Sequence, residues 1–339
     1  MITPIYRPSG PTSLSFTDQT GVTSGSVVSS NTITLAGPSG VSDVWPVTVD
    51  AAAGSPQISV NGGTWTDSRT PAAVARSGDT VQVRMIVGAS LSTRTATIRV
   101  GSKSTTWSVT AAAWMPSDLG NLAIWNKAGA GECFTDAGVT VATAGQSVYR
   151  WRDKSGNSRH ANQTVSGQRP TFQLSGGVYS VQFDGVDDFL TWASAINIGS
   201  NGGIYFVQTT TGDGGFAGNA GGAGTFQIRI GQSSLNKLSV YNGTTNPASD
   251  TLSASRGLIT CNGFEFNGTT AYFYENGTAK GSGSFSGFSG QIIDVLGSVA
   301  SGILPLAGKL HEVVVLTARP SDADRTALFG YFKTEWGTP

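Results

Sequence analysis

Between residues 14 and 110, short β-branched runs alternate with polar residues and break at Gly, Asn, Asp or Pro. Residues 32–35, 47–49, 57–60, 81–85, 95–100 and 107–110 each read as a strand. Within 81–85 and 95–100 the apolar residues take every second position, the period of a strand with one dry and one wet face. Gln82, Arg84, Thr95, Thr97 and Arg99 then fall on the solvent side. Six or seven strands at this spacing predict a β-sandwich of about 100 residues.

Ala111, Ala112 and Ala113 end that pattern, and Trp114-Met115-Pro116 opens another. The predicted division is an extended arm over 1–13, a sandwich over 14–113 and a second domain over 114–339. In the second domain, Phe264 to Thr269 and Tyr272 to Thr278 each carry an Asn-Gly pair flanked by alternating aromatics, a hairpin signal. One helix is predicted near 321–335. Ser321 is its N-cap with Asp324 three residues on, and Gly337 marks its stop. Leu328, Phe332 and Trp336, with Ala327 and Tyr331 beside them, form an apolar stripe that should pack on the sandwich.

Composition narrows what such a chain can do. Lys and Arg number 21, matched by 21 Asp and Glu, and together they make only 12% of 339 residues. No basic surplus is present to hold a phosphate backbone, so nucleic acid is not an expected partner. No apolar run approaches the roughly 20 residues of a membrane-spanning helix, so membrane insertion is not expected. Glycine reaches 46, Ser 40 and Thr 39, while Glu numbers five, which argues against a helical bundle. An apolar share of 38% with eight Trp argues against disorder. The neutrality has two parts, +2 over residues 1–113 and −2 beyond. Cys133 and Cys261 are too few for a disulfide scaffold and lack metal spacing, so two reduced buried thiols are favoured over one bridge. Residues 1–8 show no basic-then-apolar leader pattern, and the expectation is a protein made in the cytoplasm that works outside it.

Candidate chemistry is sparse. None of Glu132, Glu265, Glu275, Glu312 or Glu335 falls in a glucanase-type paired-carboxylate strand. His160 and His311 are isolated, and no Gly-x-Ser-x-Gly precedes a helix pattern, so no catalytic residue is expected. Residues 153–157 and the trio Asp184, Asp187 and Asp188 could hold calcium. Asp-stabilised turns explain both stretches more simply, so no cofactor is expected. For a sugar, aromatic and amide groups on loops are needed, and Trp192, Tyr241 and Asn242 are the candidates. Residues 212–224, with seven Gly, are either a binding loop or a crowded turn. Asn-x-Ser/Thr triplets at Asn162, Asn242, Asn267 and Asn276 read as turn chemistry.

Two resemblances add to this. Ile58 to Thr66, with its Asn61-Gly62 turn and Trp65, followed by Ser77-Gly78-Asp79-Thr80-Val81, resembles immunoglobulin-like domains of bacteriophage virion and bacterial surface proteins. The likeness runs from about Ser15 to Thr110 and implies a spacer or docking role. Three blocks, Leu122-Ala123-Ile124-Trp125, Val148 to Asn157 and Val181 to Leu190, resemble in order the laminin-G-like, concanavalin A-like jelly roll. The closing run Gly308 to Leu316 and its following helix fit the same family, over about residues 118–337. Together they imply a non-enzymatic virion protein released by lysis. Residues 1–113 would dock on other virion proteins, and the jelly roll would decorate the particle or adhere to host glycans. A bacterial surface or non-classically secreted carbohydrate-binding adhesin is the alternative, and a virion glycan hydrolase a third. No heptad or repeat specifies an oligomer, so a homo-oligomer stays open.

Overall fold

The computed structural model describes residues 10–37, 44–50, 53–67, 73–198, 200–219, 226–231, 237–242, 246–247, 249, 252, 257–284 and 292–339. The chain divides into two units, Met1–Trp114 and Met115–Pro339, each with its own hydrophobic core.

In the first unit the sequence alternation becomes burial. Along Thr80–Ile86, Val81, Val83 and Met85 are buried while Gln82 and Arg84 are partly exposed. Along Thr93–Val100, Ala96, Ile98 and Val100 point in and Thr95 and Arg99 point out. One sheet has five strands, ordered Gln19–Val22, Lys103–Ala111, Thr93–Val100, Trp45–Val49 and Ala73–Ala75. The other has four, with Val27–Ser29, Ile33–Thr34 and Gln57–Val60 all paired to Thr80–Ile86. Trp45, Ile98 and Trp107 from the first share a core with Ile58, Val83 and Met85 from the second. The turn after Gln57–Val60 has φ of 50° at Asn61 and 67° at Gly62, the pair of positive angles a tight hairpin requires. Asn61 also braces it, accepting from the Thr80 amide at 2.8 Å and donating to Asp79 at 2.8 Å. Of the arm expected over 1–13, residues 1–9 lie outside the described residues, and the Thr12 amide donates to the Ala36 carbonyl at 2.7 Å.

The second unit is two antiparallel sheets of eight strands. One runs Thr171–Ser175, Val178–Asp184, Ala307–Leu316, Gly203–Thr210, Thr260–Asn267, Thr270–Glu275 and Thr278–Ser284, with Leu122–Lys127 also on Ala307–Leu316. The other runs Cys133–Phe134, Arg150–Trp151, Ala161–Asn162, Leu190–Asn197, Ile292–Leu296, Gly214–Gly218, Gln227–Ile230 and Leu238–Tyr241. Between them Phe206 stacks on Phe216 with centroids 4.5 Å apart, and Phe264 meets both edge-on. Such ring pairs contribute beyond the area they bury. Phe183, Phe206 and Phe273 are core residues. The second predicted Asn-Gly turn has positive φ at both Asn276 and Gly277. The first differs: Asn267 pairs with Thr270, so the two loop residues are Gly268 and Thr269, and only Gly268 turns to positive φ.

The helix α1, Asp322–Trp336, forms where the caps predict. Ser321 accepts from the Asp324 amide, and Gly337 at φ 66° closes the end through a bond to the Lys333 carbonyl. It covers the outer face of the first sheet. Phe329, absent from the predicted stripe, lies edge-on to Tyr205 at 5.7 Å and tilted against Tyr274 at 6.2 Å. Gly263 makes room for this: a Cβ there would stand 2.8 Å from the Tyr205 ring.

Two fully buried carboxylates anchor α1. Glu265 accepts from Arg319 Nε at 2.7 Å, Arg325 Nη2 at 2.7 Å, Arg325 Nε and the Tyr205 hydroxyl. Glu312 is held only by neutral donors: Trp125 Nε1 at 2.5 Å, the Tyr331 hydroxyl at 3.0 Å and Trp336 Nε1. Cys133 and Cys261 are both buried free thiols.

Candidate functional site

The three residues singled out for sugar binding separate. Trp192 is not on a loop. It belongs to Leu190–Asn197, is 2% exposed, and donates its indole N–H to Asn126 Oδ1 at 2.9 Å. Asn126, also buried, passes the link to the carbonyls of Trp151 and Arg152. A buried indole with its polar edge satisfied is core, so Trp192 presents no face to a ligand. Tyr241 and Asn242 stay together at the end of the edge strand Leu238–Tyr241, both partly exposed. One face of Tyr241 is already occupied by the Arg229 guanidinium, 4.9 Å from the ring centroid.

The glycine-rich stretch is not a flexible loop where it is described. Gly214–Gly218 is a fully buried strand, and residues 220–224 of the stretch lie outside the described residues. Its glycines permit a close approach by residues 298–306, which cross it. A Cβ on Gly218 would lie 1.9 Å from the Val299 carbonyl oxygen, and one on Gly215 2.4 Å from Val299 Cγ1. That crossing segment is fixed by backbone bonds from Gly215 to Leu304, Leu306 to Gly297 and Val299 to Ile303, at 2.9, 2.9 and 3.1 Å.

Where residues 304–305 meet the strands Gly214–Gly218 and Gln227–Ile230, a concavity of about 280 Å³ opens. Its lining is Asp213, Gly214, Arg229, Ile230, Gly231, Leu304 and Pro305. Strand alternation puts Ile228 and Ile230 into the core and Arg229 on the opposite face, opposite Ser239 in register. Leu304, at φ 50° and about half exposed, supplies an apolar lip with Pro305. Burial pulls the Arg229 guanidinium below its ordinary pKa, partly countered by Tyr241.

In both stretches that could hold calcium, the aspartates organise their own turns. Asp153 accepts from the amides of Trp125, Ser155 and Arg159 and from the Ser155 hydroxyl, at 2.9–3.0 Å, so four donors already organise its turn. Asp184, Asp187 and Asp188 bring carboxylate oxygens within 4.8 Å of one another. Asp184 Oδ1 accepts from the Val186 and Asp187 amides, and Asp188 accepts from the Asp184 amide. Burial, with the charges of Asp184 and Asp187, pushes the Asp188 carboxyl up to about 6. His160 and His311 serve the fold: His160 Nδ1 accepts from the Asp153 amide, and His311 bonds the Tyr179 carbonyl and Thr209.

No protein-family model matches the chain, and no curated protein sequence matches it. Among solved structures, the CBM40 of Ruminococcus gnavus IT-sialidase bound to α2,3-sialyllactose is similar at TM-score 0.34 and 13% identity, over 44% of this chain and 96% of that one. An arabinofuranosidase complexed with arabinofuranosyl-α-1,2-xylobiose matches at 0.45 and 14%, over 61% of each chain. The heptameric SAP-like pentraxin of Limulus polyphemus matches at 0.36 and 13%, over 43% of this chain and 78% of that one.

Proposed function

We propose that the Met115–Pro339 unit is a non-catalytic glycan-binding module and that the Met1–Trp114 unit is its docking or spacer domain. The observation that carries the reading is the concavity at Arg229. It is walled by Leu304, Pro305 and Ile230, and its lining combines this apolar surface with the polar side chains of Arg229 and Asp213. A small pre-formed site of this mixed character is what a sugar ring with hydroxyls and one apolar face fits. The absence of catalysis is supported by the state of the buried carboxylates. Glu265 is neutralised by two arginines, Glu312 is enclosed by Trp125, Trp336 and Tyr331, and Glu275 pairs with Lys280 at 3.3 Å. A glycosidase needs two such groups free and facing one cleft.

The setting of the pair on a bacteriophage particle, as decoration or host adhesin, rests on the sequence resemblance alone. Glycan-array binding by the full chain, without release of reducing ends from the bound polysaccharide, is the expected result. Release of reducing ends would overturn the non-catalytic reading. Mass spectrometry of purified virions tests the setting, and a chain found only in non-virion fractions would sink it.

A further inference from the structure

Arg229 is an exception among the described arginines of its unit. Arg150 donates to Asn162, Arg159 to the Ala123 carbonyl, and Arg169 to the Gln163 and Thr164 carbonyls. Arg152 has Glu132 within 3.9 Å, while Arg319 and Arg325 share Glu265. Arg229 makes no hydrogen bond or ion pair with any described residue, and its Nε is buried without a partner. A guanidinium carries five N–H donors and a charge that burial penalises, so leaving its buried Nε–H unfilled costs stability. Its guanidinium nevertheless lies over the Tyr241 ring, and it lines the concavity together with Ile230, Leu304 and Pro305. Asp213 lines the same concavity but has an interaction of its own.

The concavity also lacks a feature that neutral sugars use. Among the described residues none of its lining is aromatic, and the ring beside it, Tyr241, has one face covered by Arg229. Binding strength must then come from charge. A fork of unfilled donors matches a planar carboxylate by two parallel bonds, which are among the stronger hydrogen bonds available to a protein.

From this geometry we propose that the site selects an acidic sugar, with Arg229 taking the sugar carboxylate and Leu304 and Pro305 packing on the ring. This rests on the glycan-binding reading above and names its ligand class. The volume, about 280 Å³, suits one terminal residue rather than a long chain. The shared chemistry is a carboxylate on a pyranose, from either a uronic acid or a sialic acid.

Calorimetric titration of the full chain tests it with two matched pairs: trigalacturonate against its carboxyl-reduced neutral counterpart, and 3′-sialyllactose against lactose. The expected result is that the acidic member of at least one pair binds about ten- to a hundredfold tighter than its neutral partner. Which pair shows the difference identifies the source. Arg229→Gln should abolish that difference, and Arg229→Lys, which keeps charge but loses the fork, should retain part of it. Should Arg229→Gln fail to fold, Leu304→Asp is the second variant. It sits on the exposed lip at a positive φ that Asp tolerates, and its carboxylate should repel the acidic ligand alone. Equal binding of acidic and neutral partners, unaffected by Arg229→Gln or Leu304→Asp, would overturn the acidic selection and leave glycan binding standing. No binding to these probes or to any glycan on the array would overturn both.

Discussion

Glu312 shows how one residue can make stability depend on pH. Burial pushes its carboxyl up to about 7, against the opposing pull of hydrogen bonds from Trp336, Trp125 and Tyr331 and the charge of Lys127. The folded state therefore binds this proton more tightly than the unfolded chain does. Its contribution is complete below the ordinary glutamate value and is lost as pH rises through about 7. Asp188, raised to about 6, acts in the same direction. The melting temperature should rise as pH falls from 8 to about 5.5, with Glu312 contributing on the order of 2 kcal/mol over that window. Thermal melts across that range check it, and Glu312→Gln should flatten the slope. Trp192 makes a second residue-scale prediction: Trp192→Phe should cost roughly 1–2 kcal/mol by stranding Asn126, with glycan binding unchanged. Burial also raises both thiols, Cys133 and Cys261, so iodoacetamide should label them only after unfolding. The buried thiols were expected from the sequence, but the environments of Glu312 and Trp192 could not be read there. Trp192 follows Leu190-Thr191 as readily on a loop as on a strand, and only its pairing with Ala161 and Asn126 decides that it is core. Arg229 was illegible for a related reason. It lies between Ile228 and Ile230 like any solvent-facing strand residue, and what distinguishes it is a buried Nε without a hydrogen-bond acceptor.

At the scale of elements, local rules carried much further. The Asn61-Gly62 and Asn276-Gly277 turns, the Ser321 and Gly337 caps and the alternation of Thr80–Ile86 all depend on neighbours in sequence, and all were readable there. The strand Gly214–Gly218 was not, because its glycines answer to Val299, more than eighty positions away. Phe329 escaped for the same reason, since its partners Tyr205 and Tyr274 lie on other strands. Phe329→Ala should destabilise the second unit by about 3 kcal/mol, the cost of an aromatic removed from a closed contact. Denaturant titration followed by Trp fluorescence measures it, because Trp336 and Trp125 report on α1 through their shared Glu312. A loss below about 1 kcal/mol would mean that α1 is held by its carboxylate anchors rather than by its apolar face.

At the scale of the molecule, the chain carries two cores with no residue in common, one built around Trp45 and Trp107 and the other around Phe206, Phe216 and Phe264. Calorimetry of the full chain should accordingly show two transitions, and a fragment of residues 115–339 should reproduce one of them. A single transition absent from the fragment would contradict that independence. The placement of Ala307–Leu316 has a further consequence for how the protein is made. That strand pairs with Leu122–Lys127, Val178–Asp184 and Gly203–Thr210, all of which leave the ribosome long before it. Until it emerges, three earlier segments wait with unpaired edges, and the sheet that α1 later covers has no middle. The first unit can fold while translation continues. The second cannot close until Ala307–Leu316 and Asp322–Trp336 have been made, so a chain stalled before them would display a finished first unit joined to an aggregation-prone, open sandwich.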